Sequence, residues 1–531
     1  MQLRHLGAIG LFGIACLMGC NVINSEYETR KNEISAEIEG EGEEAESLGL
    51  VPEFDYEMPV SRPGILVNQT GYLPTGKKEA VFRGDKLPDR FEVVDENTGN
   101  VVFSGVVEEK DFDEKTGEYS GYGVFDALAQ PGDYYIQAPI LGHSYSFRIE
   151  KEIYTNAFEL ACRQYYFSRC GIELEKEWAG ERARSACHTG TVVSKEEAGE
   201  QIEIKGGWHT DGDDSKDVVK GGLVMADLLL AYELYPEVFS DGSGIPESGN
   251  GIPDILDEIK YEMDWLLIMQ DKRTGGVYSG IVNGKEGGNV QAPGIKSVME
   301  PISLEATAFF AAIAAKFSYI YEVYDADYAK ECLRAADKAW RYVEGERGIE
   351  DVKQRFFAAA ELYRASGYSS YKRAAEGYFG KNIWEEMDDD YIFWGCTTYI
   401  STKRNVDITI CGNVTKKLME DAEKVSQAAR GSGYLALGNG EPDNNGQLLH
   451  RMTRLVVVDH IIANHEYETL IENHLHYFMG CNAQAISYID GEGDNNYKDI
   501  DAALGIMPRQ EQNAKLIFMM SEVISWRRAV E

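Results

Sequence analysis

Apolar residues alternate with polar ones, or come in short β-branched runs, between Ile65 and about Ile149: ILVNQTGYLP, EAVFRG, RFEVVDENTG, NVVFSGVV, GDYYIQAP and HSYSFRI. Runs of this length, parted by turn signals at Asn97-Thr98-Gly99-Asn100 and Pro131-Gly132-Asp133, predict a β-sandwich over residues 64–150. From about Tyr154 the spacing of apolar residues lengthens to three and four. The segments LVMADLLLAYELY, ILDEIKYEMDWLLIMQ, EATAFFAAIAAKFSYIYEVY, YAKECLRAADKAWRYV, RFFAAAELYRAS, QLLHRMTRLVVVDHIIAN and YETLIENHLHYFMG each predict a helix. Loops rich in Gly, Asp and Asn separate them, so residues 154–531 read as an all-α domain of helix pairs with binding residues on the loops at one end. Periodicity alone leaves toroid and solenoid open, because no strict internal repeat is visible.

Two stretches ahead of the sandwich follow neither pattern. Residues 1–20 hold Arg4, an apolar run from Leu6 to Met18, and then Leu17-Met18-Gly19-Cys20. That run is too short to span a bilayer and has the shape of an export signal. Its end resembles a bacterial lipobox, which would make Cys20 the lipid-bearing first residue of an exported protein anchored at the bacterial cell surface. An ordinary signal peptide with a chance cysteine is the alternative. Residues 21–63 are acidic and poor in large apolar side chains, with EIEGEGEEAES at their centre. Such a segment cannot bury enough surface to fold and reads as a self-repelling tether.

Charge narrows the partners. A net charge of −37 over 531 residues argues against nucleic acid and against an anionic membrane surface, leaving the lipid anchor as the only membrane contact. A neutral substrate is favoured. The content of 31 Tyr suits stacking on sugar rings and suits a packed core equally. Beyond Cys16 and Cys20, the remaining cysteines (Cys162, Cys170, Cys187, Cys332, Cys396, Cys411 and Cys481) show no disulfide rhythm, and few or no disulfides are expected.

The chemistry concentrates between Gly206 and Asp217, GGWHTDGDDSKD, where Asp211, Asp213, Asp214 and Asp217 crowd around one glycine. Repulsion at that spacing raises at least one carboxyl pKa. Such a cluster can bind a hard cation or set a carboxylate against a water for general-base hydrolysis. A solvated acidic turn at a helix start is the competing use.

In order along the chain, ILVNQTGYLP and the turn at Pro131-Gly132-Asp133-Tyr134 are followed by RQYYFSRCG, ACHTG, GGWHTDGDDSK, IPESGNGIPDILDEIKYEMDWLLIMQ, AAAELYRASG and YFMGCNAQAISYIDG. Together these resemble glycoside hydrolase family 9 in its subgroup with an amino-terminal immunoglobulin-like domain. The resemblance covers nearly the whole chain after the tether. It implies a multidomain protein, an immunoglobulin-like sandwich followed by an (α/α)6 barrel, acting as an inverting glycosidase on β-1,4-glucan or a related β-linked polysaccharide or oligosaccharide. No organic cofactor is implied. A surface glycan-binding protein on a catalytically degenerate scaffold is the alternative.

The resemblance also assigns roles. In the family motif Asp-Ala-Gly-Asp the second Asp is the base, and Asp213 falls there; Thr210 replaces the first Asp, with Asp211 beside it. The family's acid is a Glu six residues before an Asn-Ala pair. Counting back from Asn513-Ala514 reaches Met507, whose thioether cannot deliver a proton. Glu511 is the nearest carboxylate, at a helix start opened by Pro508, where the helix dipole favours ionisation. Glu492 and Asp494 are the other candidates for the acid.

Cys170, Cys187, His188 and His209 offer two thiolates and two imidazoles, the set a closed structural zinc site takes, and they match positions at which similar family 9 enzymes hold zinc. Unrelated buried Cys and surface His are the alternative. Glu247, Asn250, Asp254 and Asp257 supply hard oxygen donors around glycines, in a region where resembling enzymes bind calcium; helix capping is the alternative. Trp208, Tyr278, Trp394 and Tyr488 are candidate sugar-stacking residues, with core packing the competing use. Trp394 lies in FWGCTTY, which reads as a loop.

Overall fold

The computed structural model describes residues 63–113, 117–193, 201–210, 212, 214–283, 297–346, 352–430, 432–434, 436–437, 444–463, 465–496 and 505–530. The expected signal, Cys20 and the acidic tether lie outside the described residues. Ten strands form the first domain: β1 (Ile65–Leu66), β2 (Gly71–Tyr72), β3 (Glu79–Gly84), β4 (Arg90–Asp95), β5 (Val101–Val106), β6 (Glu108–Asp113), β7 (Glu118–Val124), β8 (Gly132–Ala138), β9 (Gly142–His143) and β10 (Phe147–Ile149). One sheet runs β1-β3-β7-β6 and the other β2-β10-β8-β4-β5, with β9 on the edge of β8. The β2–β10 pair is parallel. Period-two alternation turns Tyr134, Ile136 and Ala138 of β8 inward, where they meet Phe82, Phe91, Phe125 and Phe147 between the sheets.

Twelve helices of eleven residues or more follow among the described residues: α1 (Thr155–Ser168), α2 (Val218–Leu234), α3 (Asp254–Ile268), α4 (Leu304–Tyr321), α5 (Ala326–Gly345), α6 (Val352–Ser366), α7 (Ser369–Phe379), α8 (Asp390–Ser401), α9 (Ile408–Arg430), α10 (Asn445–Ile462), α11 (Glu468–Phe478) and α12 (Gln510–Val530). The even-numbered helices form the inner ring. Helices α2, α4, α6 and α8 pack in succession, and α10 packs on α12, which packs on α2. The joint between α8 and α10 is made by Arg454 and Asp390 at 2.9 Å.

Composition explains which helix goes where. Helix α4 is apolar nearly all round, with Ala306 to Phe317 buried, as an inner helix has to be. Helix α5 buries only Ala329, Cys332, Ala336, Ala339, Trp340 and Val343, a single stripe, and lies outside. Asp217, Ser303 and Asp389 cap the inner helices α2, α4 and α8 through their first backbone N–H groups. Gln354 of α6 donates to Glu305 of α4 at 3.1 Å, first turn to first turn. The N-terminal ends of the inner helices therefore share one end of the ring, and that end is the mouth. The toroid is the observed arrangement, not a solenoid.

The sandwich is fixed to the helical domain by paired polar groups. Gln69 donates to the Ala485 carbonyl at 2.8 Å and accepts from the Asn495 N–H at 2.8 Å, while its own N–H meets the Met479 carbonyl. Gly480 and Gly493, both at positive φ, leave the room: a Cβ on either would come within 2.8 Å of the Gln69 side chain. Arg83 adds a bond to the Ala483 carbonyl at 2.6 Å. Gln69→Leu keeps the volume, strands the partly buried Asn495 N–H and removes the amide donor to the Ala485 carbonyl, so a loss of about 1–2 kcal/mol is expected. Urea unfolding reads it as a lower midpoint with unchanged slope; an unchanged midpoint would show that this junction contributes nothing.

Candidate functional site

Segment 204–217 has little regular structure, and its polar groups are met by several elements. Cys170 donates its N–H to the Gly207 carbonyl (2.7 Å) and accepts from Gly206 (3.1 Å), and the His209 N–H reaches Ser168 at 2.9 Å, so the segment runs beside the end of α1. The buried Glu262 carboxylate of α3 accepts from the Trp208 N–H at 2.6 Å. Burial pushes that carboxyl up to about 8, with the Trp208 N–H and then Lys216 opposing. The Lys216 ammonium donates to the Ile204 and Gly206 carbonyls and lies 4.9 Å from the Trp265 ring. Gly207, at φ +71, is where the backbone presses on that ring: a Cβ there would sit 2.8 Å from it.

Asp211 and Asp213 lie outside the described residues. Their neighbours are described. Asp214, at φ +61, places its carboxylate 3.5 Å from His209 Nδ1. Asp217 is committed to capping α2, accepting from Val219 and Lys220 at 2.8 and 2.9 Å, so one of the four clustered aspartates is structural. The Asp217 N–H donates to Thr210 Oγ1 at 2.9 Å, and the Thr210 N–H to the Ser215 carbonyl, closing the acidic turn.

Cys170, Cys187, His188 and His209 converge, with one ligand atom from each lying within 4.8 Å of all the others. The two Sγ atoms are 3.8 Å apart, Cys170 Sγ is 3.3 Å from His188 Nδ1, and Cys187 Sγ is 3.3 Å from His209 Nε2. Tetrahedral bonds of about 2.3 Å to sulfur and 2.0 Å to nitrogen require edges of about 3.5–3.8 Å, so the quartet fits zinc. The remaining ring nitrogens have partners too: His188 Nε2 is 3.0 Å from Asn283 Oδ1, and His209 Nδ1 faces Asp214. The Arg184 guanidinium donates to Cys187 Sγ at 3.3 Å, stabilising negative charge there.

Helix α12 meets the same segment from the other side. Gln510 Nε2 donates to the His209 carbonyl at 2.6 Å, which brings Glu511, the next residue, to the acidic turn. Glu511 stays exposed to solvent. Burial by the surrounding protein nevertheless raises its carboxyl, opposed by Lys515 and Lys220 and reinforced by Asp227 and Asp390. The direction is the reverse of what the helix N-terminus alone would give. Beneath it, Lys515 pairs with Asp227 at 2.7 Å and reaches Asp390 at 3.5 Å, and His450 sits 3.2 Å from Asp390. Met507 is buried, 3% exposed.

Several expected site residues are placed elsewhere. Glu492 and Asp494 line a cavity of about 490 Å³ beside the sandwich, with Glu96, Asp133 and Arg148. Glu492 holds Asn156 at the start of α1, whereas the acidic segment bonds Ser168 at its end. Those points are twelve residues of helix apart, about 18 Å, so neither carboxylate is the acid facing the acidic turn. The calcium candidates have protein partners. Glu247 takes the Arg169 guanidinium with both oxygens, at 2.8 and 2.9 Å, and Arg169 reaches Glu258 as well. Asp254 Oδ2 accepts from the Ser243 N–H, the Ser243 hydroxyl and the Ser248 hydroxyl at 2.6–2.7 Å, and Asn250 donates to Asp257 at 3.0 Å. Arg169 is the cation with which Glu247 is paired.

None of the four aromatic candidates faces a cleft. Trp208 and Tyr488 are 0% exposed, and Tyr278 and Trp394 are 2% exposed. Trp208 packs on Tyr165, with ring centroids 5.1 Å apart. Trp394 lies within α8 rather than in a loop, parallel to Phe309, and its Nε1 donates to Asp227 at 3.2 Å. Residue type and a polar context could not separate these rings from core packing. The polar anchors Arg169, Lys216, Glu262 and Gln510 were missed for the opposite reason. A charged residue on an apolar helix face, such as Glu262 in IKYEMDWLL, was the available signal.

Comparison with known proteins places this geometry. The sequence model for "Glycosyl hydrolase family 9" matches residues 154–517, and that for "Cellulase N-terminal ig-like domain" matches residues 61–143. Endoglucanase D of Acetivibrio thermocellus is 28% identical over 461 residues, covering 81% of this chain and 73% of that protein. A cellodextrinase of Butyrivibrio fibrisolvens is 28% identical over 476 residues, covering 82% and 86%. A xyloglucan-specific endo-β-1,4-glucanase of Bacteroides ovatus is 26% identical over 488 residues, covering 83% and 82%. Among crystal structures, a metagenome-derived glycoside hydrolase family 9 endoglucanase superposes with a TM-score of 0.78 at 26% identity, over 87% of this chain and 99% of that one.

The core placement of Trp394 predicts that Trp394→Ala loses about 3–5 kcal/mol of stability in denaturant unfolding, since it opens a cavity and strips Asp227 of a donor. Weakened oligosaccharide binding with unchanged stability would return Trp394 to the cleft.

Proposed function

Because the chain belongs to glycosyl hydrolase family 9, and so is a glycosidase, we propose that it cleaves β-1,4-glucan or a related β-linked glycan by single displacement with inversion. Asp213 takes a proton from water as that water attacks the anomeric carbon. Glu511 gives its proton to the departing glycosidic oxygen as the C–O bond breaks. The observation that supports this pairing is the Gln510 bond to the His209 carbonyl, which joins the segment bearing Asp213 to the helix turn bearing Glu511. Inversion needs carboxyl groups about 6.5–9.5 Å apart, with one water between base and sugar. The upward shift of the Glu511 carboxyl, caused by its surroundings, is in the direction that an acid needs.

Zinc held by Cys170, Cys187, His188 and His209 is the proposed metal, structural rather than catalytic because all four positions are filled by protein. When bound it supplies a rigid anchor for His209, four residues ahead of Asp213. Export and lipid attachment at Cys20 are likewise proposed, on the pattern of residues 1–20. The buried thioether of Met507 favours one other reading, a protein that binds glycan without cutting it.

Release of reducing sugar from soluble β-1,4-glucan decides between the two. Turnover is expected in the wild type and is expected to vanish in Asp213→Asn; oligosaccharide binding with no turnover of any tested glycan would establish the binding reading. Because Glu511 must be protonated to act, activity should fall as pH rises through its carboxyl, at a pH above the ordinary carboxylate range. Glu511→Gln should remove that alkaline limb and reduce kcat by about 100-fold or more. Metal analysis of the full chain should find one zinc, lost in Cys187→Ser; a metal-free wild type would end the zinc assignment.

A further inference from the structure

Gln510 stands between the two segments that carry the proposed base and acid. Its side-chain amide donates to the His209 carbonyl at 2.6 Å, while its own backbone carbonyl accepts from the Tyr165 hydroxyl at 3.0 Å. A carbonyl can only accept, so the NH2 end of the amide is the end that faces His209. The start of α12 is held against α1 by that tyrosine and by Asn513, whose side chain donates to the Ala161 carbonyl at 2.8 Å. The amide of Gln510 carries this fixed position across to the acidic segment.

The other end of the amide shows what the residue is for. Gln510 Oε1 is buried and has no hydrogen-bond partner among the described residues. A buried acceptor without a donor is destabilising. Leucine or methionine would remove that penalty but strand the His209 carbonyl, so the glutamine gives little net stability while fixing a position. A local expense of this kind at the seam between two functional segments is what a demand for position produces.

We propose that Gln510 is a positioning residue for hydrolysis, a strut whose amide sets the gap between the segment bearing Asp213 and the carboxyl of Glu511, and with it the space for one water. The inference rests on the assignment of Asp213 as base and Glu511 as acid. It makes no contact with sugar necessary. Lengthening the gap by even one ångström misplaces base, water and acid together.

The test uses the full chain and soluble β-1,4-glucan. In Gln510→Leu, kcat should fall about 10- to 100-fold with KM within twofold, while the thermal midpoint changes little, because removing the unpaired Oε1 offsets the stranding of the partly buried His209 carbonyl. Gln510→Glu adds a readout that a merely structural role would not move. Its ionised carboxylate faces the His209 carbonyl and cannot donate, whereas its protonated form can. The ratio of mutant to wild-type kcat should therefore climb as pH falls through that carboxyl. Wild-type kcat in Gln510→Leu, a kcat loss matched by a lowered thermal midpoint, or a Gln510→Glu ratio flat with pH would each overturn the strut. Turnover that survives Asp213→Asn, or no turnover in the wild type, would sink the catalytic assignment itself. Loss in Asp213→Asn with full activity in Gln510→Leu sinks the strut alone.

Discussion

The described part of segment 204–217 lies against the interior without helix or long strand, and that is possible only because its backbone groups are met by side chains, two of them from distant helices. An unpaired amide or carbonyl in that place would be as destabilising as a lost core contact. Glu262 of α3 takes the Trp208 N–H, Lys216 folds back onto two carbonyls, and Gln510 of α12 takes the His209 carbonyl. Each of these side chains is itself buried or partly buried. The segment thus inherits the rigidity of α3 and α12 at once, and the Cys/His quartet and the acidic turn inherit it in succession. Removing any one anchor leaves its backbone partner without that bond.

The mouth of the ring imposes a second constraint. The N-terminal ends of the inner helices converge there, and their unpaired N–H groups attract negative charge. Acidic residues occupy first turns accordingly: Glu305 in α4, Asp390 in α8 and Glu511 in α12. Two of these have opposite fates. For Asp390, against the upward push of burial, Lys515, His450 and Arg454 hold the carboxyl well below the usual range. For Glu511, burial outweighs Lys515 and Lys220, and the carboxyl rises. Carboxylates a few residues from the same lysine are thereby pushed apart, the separation that lets one stay ionised while another carries a proton.

The fold was legible because it depends on period. Alternation over six-residue runs and three-four spacing over longer ones survive any single substitution, and β1–β5, β8–β10 and helices α2–α6, α10 and α11 fall where those patterns put them, whereas β6, β7 and α7–α9 stood in segments from which no element was predicted. The Cys/His quartet was legible because few chemistries need two thiols and two imidazoles together. Aromatic residues were not, since a tryptophan on a sugar and a tryptophan in a core have the same name: the segment of Trp394 looked polar, yet its threonines Thr397 and Thr398 are buried in α8, bonded to the Phe393 carbonyl and to Glu361. The donors between Glu247 and Asp257 carry a related ambiguity. Oxygen ligands for a cation and oxygen acceptors for Arg169 and the serines are the same atoms, and only coordinates say which partner they found.

The acid position shows how far a single residue can shift within a kept scaffold. Where the family resemblance calls for a carboxyl, Met507 is buried, in surroundings where an unpaired charge would be destabilising. Glu511 lies four residues on, past a turn and in the first turn of α12. It is open to solvent, so it can regain a proton after each turnover without a path through the protein. The backbone under it is fixed, because Tyr165 holds the Gln510 carbonyl and Asn513 is tied to Ala161. Any adjustment that brings the acid to a glycosidic oxygen must therefore come from the glutamate side chain itself. On the proposed assignment, a two-methylene side chain at this fixed helix start sweeps a few ångströms, and that reach is what has to bring its proton to the glycosidic oxygen.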